Sequence, residues 1–389
     1  MRRGKTFAGG YVMEPDKGLH EDLVVFDFRS LYPTIIASHN IDPGTLNCGC
    51  CTSDTAASPP GLEHEFCQRE KGFIPEILEE LVDERAEVKA KMRETGEGTA
   101  ARRSLHNSQW ALKIMANSFY GMLGYARARW YCSECAESVT SYGRHYIKDT
   151  IDTAEEEGLK VVYGDTDSLL CEVGDKSRRE IDQFLEKVNA EMPGIMELEL
   201  EGFYRRGVFI TKKRYALAGH DEKMEVKGLE YVRRDWAALA KKTQERVLEA
   251  VLTEGSPEKA ARIVREAMRR VKRGRTDLEE LVIHKNLKKP IGDYETEGPH
   301  VIAAKRLRKA GREVEPGMTI PYIVEKGSGN VGDRAIPESE WGERDYDPDY
   351  YVEHQILPAV MSVMEVLGYS EEDLRYEETK QTKLGRFGG

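Results

Sequence analysis

The sequence predicts an α+β fold in which an antiparallel sheet carries the chemistry and helices surround it. Three observations lead there. Two apolar runs, Leu23 to Phe28 and Val161 to Leu170, are punctuated by aspartates at strand-like spacing. Two long amphipathic patterns, Ile74 to Glu94 and Ala100 to Leu123, are separated only by Thr95 to Thr99 (TGEGT). Glu197 to Gly219 then alternates apolar and polar residues with period two, and from about Ala237 the pattern turns helical and basic.

Taken in order, the stretch from about residue 8 to 45 reads as strand, then Asp27, then a short helix from near Leu31, with Pro33 in its first turn, where a missing N–H costs little. A Cys-, Ser-, Pro- and Gly-rich loop follows from Asn47 to Gly72. Ile77, Leu78, Leu81 and Val88 give the next helix an apolar stripe, and the short Gly-containing break makes the following helix its antiparallel partner. Arg85 and Lys89 share one face of the first helix, and Lys113, Asn117 and Tyr120 one face of the second. Such a pair can grip a triphosphate, although a charged hairpin without a ligand has the same pattern. A helix over Ser133 to Glu157 leads into a hairpin whose turn holds Asp165 and Asp167. Helices are expected again at Arg178 to Ala190 and around Val352 to Leu367, and few clear elements between Gly292 and Tyr350.

The chain has 389 residues and a net charge of −11, which at first argues against a polyanionic partner. Phosphate binding depends on local fields, however, and the basic residues cluster: Arg205, Arg206, Lys212, Lys213 and Arg214, then Arg262 to Arg275, then Lys285 to Lys309. Each cluster alone also fits a solvated face. No apolar run approaches the ~20 residues of a membrane helix, and a cytoplasmic, nucleoid-associated protein is expected. Of seven cysteines, Cys48, Cys50, Cys51 and Cys67 could bind zinc, though not as a pair of CxxC knuckles, and Cys132 and Cys135 form a lone CxxC. Free thiols, metal and disulfides all remain open.

Asp27, Asp165 and Asp167 stand at strand ends, and three carboxylates so presented are the donor set two magnesium ions need for nucleotidyl transfer. Turn and cap chemistry accounts for each aspartate singly but not for their coincidence.

These residues resemble a family. DFRSLYPTII (Asp27 to Ile36), KIMANSFYG (Lys113 to Gly121) and YGDTDS (Tyr163 to Ser168) are similar to motifs A, B and C of family B DNA polymerases. TKKRYA (Thr211 to Ala216) and KGLEYVRRDW (Lys227 to Trp236) resemble the two later motifs, all in family order. The likeness is greatest to the archaeal enzymes and runs from about Ala8 to the C-terminus. It implies a right-hand architecture: palm in 1–72 and 125–236, helical-hairpin fingers in 73–124, a mainly helical thumb in 237–380, and a tail from 381 to 389.

The resemblance also implies roles. Asp27 and Asp167 with the Phe28 carbonyl would ligate two Mg²⁺ (Mn²⁺ substituting), Asp165 adding negative charge. Arg85, Lys113 and Asn117 would bind the incoming dNTP, Tyr32 would stack under its sugar and exclude a 2′-hydroxyl, and Tyr120 and Gly121 would line the nascent base pair. Lys212, Lys213, Arg214 and Tyr215, with Arg233 and Arg234, would contact primer–template DNA. Gln381, Leu384 and Phe387 resemble part of a sliding-clamp box, with Gly388 where a second aromatic is usual. Family members carry an N-terminal and a 3′–5′ exonuclease domain ahead of motif A, so a chain without proofreading, one half of a split polymerase with a separate partner polypeptide, is expected. In the family, cysteine pairs matching Cys132/Cys135, and Cys67 with one of Cys48 to Cys51, can be disulfides. A non-catalytic DNA-binding subunit and another palm enzyme, an RNA polymerase or reverse transcriptase, are the competing readings. The retained acids with Lys113 argue against the first, and Tyr32 with the motif B pattern against the second.

Overall fold

Leu23 to Phe26 are all buried, so β1 (Gly18–Phe28) runs through the protein as a covered strand whose last residues open toward solvent at Asp27. The structure, a computed structural model, describes residues 6–51 and 56–375. Gln381, Leu384 and Phe387 therefore lie outside the described residues. The chain divides into two compact units, residues 1–15 with 22–203, and residues 16–21 with 204–389.

In the first unit, β1 is followed by α1 (Leu31–Ser38), the helical pair α2 (Phe73–Glu94) and α3 (Ala100–Gly124), then α4 (Ser133–Glu156), the hairpin β2 (Lys160–Asp165) and β3 (Ser168–Glu172), and α5 (Arg178–Glu191). β3 pairs antiparallel with both β1 and β2, and its Ser168 stands opposite both Asp27 and Asp165. Two-period alternation could not apply to β1 and β3, which are covered on both faces; their continuous apolar runs are what such strands require.

α2 buries Ile74, Leu78 and Val82 at four-residue spacing and exposes its charges. Glu76 near its start and Lys91 and Arg93 near its end complement the helix dipole. α3 starts where Thr99 accepts from the Arg102 N–H at 3.1 Å. α5 begins in a capping box, Ser177 and Glu180 satisfying each other's backbone N–H. The core of this unit joins Phe26, Phe28 and Ile35 to Leu78, Leu123, Val139, Ile147 and Phe184.

The second unit contains the antiparallel run β4 (Leu198–Thr211, from Tyr204 onward), β5 (Arg214–Gly219) and β6 (Met224–Lys227), then α6 (Ala238–Leu252), α7 (Pro257–Lys272) and the short α8 (Leu278–Leu281). The alternating segment Glu197 to Gly219 is thus a hairpin that reverses at Lys212 and Lys213, with Lys213 at φ +61°. β7 (Ile283–Asn286), α9 (Pro299–Lys309), β8 (Thr319–Val324) and β9 (Ala335–Pro337) follow, and the three strands form an antiparallel sheet in the order β7-β8-β9. Pro/Gly punctuation leaves few clear elements in the sequence between Gly292 and Tyr350; the strands there are short, and β8 contains Pro321, which counts against a strand in sequence.

The helix expected around Val352 to Leu367 is interrupted. α10 (Pro348–Tyr351) passes through a π turn at Val352–Ile356 into α11 (Leu357–Val366), ahead of α12 (Glu371–Arg375). Pro358 is the cause: it has no N–H to return to the preceding turn, so the backbone widens there.

Candidate active site

The turn between β2 and β3 is held against the end of β1: the Phe28 N–H donates to the Asp167 carbonyl at 2.7 Å. This contact, with the register that sets Asp27 opposite Ser168, brings Asp27 and Asp167 into one cavity of about 400 Å³. Asp165 does not line it. Its carboxylate accepts from the Tyr163 hydroxyl at 3.2 Å and the Thr166 hydroxyl at 3.1 Å.

The opposite wall comes from the helical hairpin. α2 contributes Arg85, Lys89 and Arg93, and α3 contributes Lys113 and Asn117, at the helical spacing that puts each set on one face. Arg85 donates to the Ser30 hydroxyl at 2.7 Å, and Lys89 pairs with Glu199 at 2.9 Å. Burial lowers the Arg85 pKa, partly offset by Glu199 and Asp27. Basic and acidic side chains thus line one space large enough for a small anionic ligand.

The acidic wall contains two residues that the motif comparison missed, Glu199 and Glu201 on β4. ELELE (Glu197 to Glu201) carried the signal: glutamates at alternate positions share one face of a strand. Asp27 is pushed up to about 7, first by burial, then by Asp167 and Glu201, with Lys113 opposing and Glu199 adding. A carboxylate crowded by other carboxylates in a half-buried cleft is short of positive charge, and a divalent cation on oxygen donors is the usual remedy. The donor set Asp27, Asp167 and the Phe28 carbonyl fits hard cations such as Mg²⁺.

Two non-glycine residues with left-handed backbones, Ser30 (φ +53°) and Thr166 (φ +61°), both line this cavity. Each costs on the order of 1 kcal/mol. Tyr32 lies at the cavity edge with its ring 4.5 Å from that of Tyr120. Room for it comes from small neighbours: a Cβ on Gly143 would stand 3.2 Å from the Tyr32 ring, and one on Gly10 2.8 Å from its hydroxyl. Burial, then Tyr120, raises Tyr32 to about 12, so it stays a neutral phenol. Gly121 is exposed and outside the cavity lining.

A sequence model of DNA polymerase family B matches residues 1–367. The chain belongs to DNA polymerase family B. It is 48% identical over 394 residues to the DNA polymerase of Thermococcus gorgonarius, covering 99% of this chain and 50% of that protein. It is 38% identical over 387 residues to the DNA polymerase of Archaeoglobus fulgidus, covering 95% of this chain and 49% of that one. Its fold is similar to the solved family B DNA polymerase from the hyperthermophilic archaeon Pyrobaculum calidifontis, with a TM-score of 0.73, 36% identity, and coverage of 95% of this chain and 48% of that one. The chain spans about half the length of the curated relatives it matches.

The residues expected to touch duplex DNA lie in the second unit. Lys212 and Lys213 are exposed at the hairpin turn, Tyr215 stacks on Phe209 at 5.5 Å, and Arg234 is exposed. Arg233 pairs with Asp235 at 3.1 Å. Arg214 is committed inward: its guanidinium donates to both oxygens of Glu230 at 2.6 and 2.8 Å, and Gln244 also donates to Glu230, at 2.9 Å. Its visible work is to fix the hairpin turn. Among the described residues no helix is long and apolar enough to cross a membrane.

Proposed function

We propose that this chain catalyses template-directed DNA synthesis, transferring a nucleotidyl group from a dNTP to a primer 3′-hydroxyl. The observation that carries the reading is the single cavity in which Asp27 and Asp167 face Arg85, Lys89, Arg93 and Lys113. Asp27, Asp167 and the Phe28 carbonyl would hold two Mg²⁺, which when bound make the 3′-hydroxyl a better nucleophile and neutralise the leaving pyrophosphate. Lys113 and Arg85 bind the triphosphate oxygens, and Asn117 supports them from the next turn of α3. Lys89, drawn toward Glu199, is released to the triphosphate as it enters. Tyr32, wedged against Tyr120, presents its ring to the sugar and leaves no room for a 2′-hydroxyl. Asp165, with its oxygens occupied by Tyr163 and Thr166, adds charge and shapes the turn rather than ligating.

Lys212, Lys213, Tyr215, Arg233 and Arg234 grip the primer–template by phosphate contacts without sequence preference. The box at Gln381, Leu384 and Phe387 is assigned to a sliding clamp, and co-purification with a clamp tests that assignment.

Primer extension by the purified chain tests the central reading. Extension with dNTPs and Mg²⁺, lost on chelation and in Asp165→Ala/Asp167→Ala, supports it. Tight DNA binding without extension, under Mg²⁺ and Mn²⁺ alike, would replace it with a DNA-binding subunit.

A further inference from the structure

Away from the active-site cavity, the loop joining α1 to α2 brings four sulfurs together. Cys48, Cys50, Cys51 and Cys67 have their Sγ atoms all within 4.8 Å of one another. Neighbouring separations are 3.2 Å (Cys48 to Cys50), 3.5 Å (Cys50 to Cys67) and 3.8 Å (Cys51 to Cys67). A disulfide needs about 2.05 Å. Four thiolates at about 2.3 Å around one ion stand roughly 3.8 Å apart along each edge of the tetrahedron. The observed spacings fall around the second value.

The backbone is built to hold this arrangement. Asn47 (φ +51°) and Gly49 (φ +68°) turn the chain so that Cys48 and Cys51, three positions apart, reach the same point. The Asn47 N–H donates to the Glu65 carbonyl at 2.7 Å and its side chain accepts from the Glu65 N–H at 3.0 Å. The Cys67 N–H donates to the Thr45 carbonyl at 2.9 Å, and the Asn40 amide to the Cys67 carbonyl at 2.5 Å. The Arg69 N–H points at the Cys67 sulfur, 3.4 Å away.

We propose that Cys48, Cys50, Cys51 and Cys67 form a closed, four-sulfur structural site for one zinc ion. A single disulfide would use two of these sulfurs and leave two thiols against it, whereas a tetrahedral ion uses all four. Thiolates select zinc or iron, and a closed site with no open position is structural rather than catalytic. The ion ties the Cys48–Cys51 turn to Cys67. Asn40, which donates to the Cys67 carbonyl, and Asp42 in turn accept from the Gly72 and Ile74 N–H groups at 2.8 and 3.0 Å, setting the start of α2. Zinc thereby steadies the helix that carries Arg85.

The test is metal analysis of the full chain purified under mild reduction without chelator. About one zinc per chain is expected, with cobalt replacement giving the intense visible bands of a tetrahedral tetrathiolate. Cys48→Ser and Cys50→Ser should each lower zinc occupancy at least about tenfold or shift the cobalt spectrum away from four sulfurs, while Cys132→Ser changes neither. Cys50 is exposed, so its serine variant keeps the test valid even where Cys67→Ser fails to fold. An unchanged tetrathiolate spectrum in Cys50→Ser, an iron–sulfur chromophore in place of zinc, or metal-free protein with an alkylation-resistant bridge to Cys67 would each overturn the proposal.

Discussion

His39 makes folding stability depend on pH in a direction that its surroundings fix. Its ring stacks on Tyr142 at 3.7 Å between centroids, and one ring nitrogen bonds the Tyr146 hydroxyl at 2.7 Å. Burial, and secondarily His145, lowers it from an ordinary 6.5 to about 4. The folded state therefore prefers neutral His39, and the unfolded chain takes up the proton first as pH falls. The stabilisation is complete above 6.5 and is lost as pH drops toward 4. At ~1.4 kcal/mol per pH unit, the full interval is worth about 3 kcal/mol, most of it gone by about pH 4.5. Urea unfolding of the wild type and His39→Gln at pH 7.5, 6, 5 and 4.5 isolates the term, because other titrating groups are common to both. The wild type should lose about 2 kcal/mol more than the variant between the first and last pH values. Parallel stability curves would refute the reasoning, showing that His39 is hydrated enough to charge in place.

Three further outcomes are expected. Gly228→Ala should destabilise by at least about 3 kcal/mol, since φ is +66° and a Cβ would lie 2.1 Å from the Lys213 carbonyl oxygen. Gly98→Ala, equally left-handed but with nothing within 4 Å, should cost only about 1–2 kcal/mol, and equal costs in urea melts would discredit the clash. Lys113→Ala should reduce dNTP incorporation efficiency by roughly 10–100-fold, the loss of one charge-assisted bond to phosphate, in steady-state primer extension; wild-type efficiency would remove Lys113 from the triphosphate site. Tyr32→Ala should raise rNTP relative to dNTP incorporation, and an unaltered ratio would leave Tyr32 a packing residue against Tyr120 and Gly143.

What was legible in the sequence was whatever depends on local pattern. The α2–α3 pair could be read from its apolar stripe and the TGEGT break, and the β2–β3 hairpin from one polar turn between two apolar runs. Asp27 and Asp167 could be found because motif and spacing coincide. Glu199 and Glu201 were visible as an alternation, but nothing in the sequence says which face of β4 meets Asp27, since strand pairing is non-local. Arg214 looked like one more cation in a basic cluster. Only the fold reveals Glu230 behind it, sixteen positions away, which turns a surface charge into an internal tie. The π turn follows from Pro358, yet a proline early in a helix usually reads as a start.

The same contrast bears on why the active-site cavity is built as it is. Burial, and then its neighbouring acids, raises Asp27 to about 7, and the backbone is left-handed at Ser30 and Thr166. Both features oppose folding and both sit in one place. The core around them is apolar, with Phe26, Phe28 and Leu169 fully buried. Substitutions that relieve them should therefore separate stability from function. Glu201→Gln, which removes a carboxylate that raises Asp27 without touching the β1–β3 register, should leave the chain as stable as the wild type or more so, while weakening divalent-cation binding measured by calorimetry. A loss of stability with unchanged cation affinity would mean that the charge is structural after all, held by partners on β4 rather than kept for a ligand.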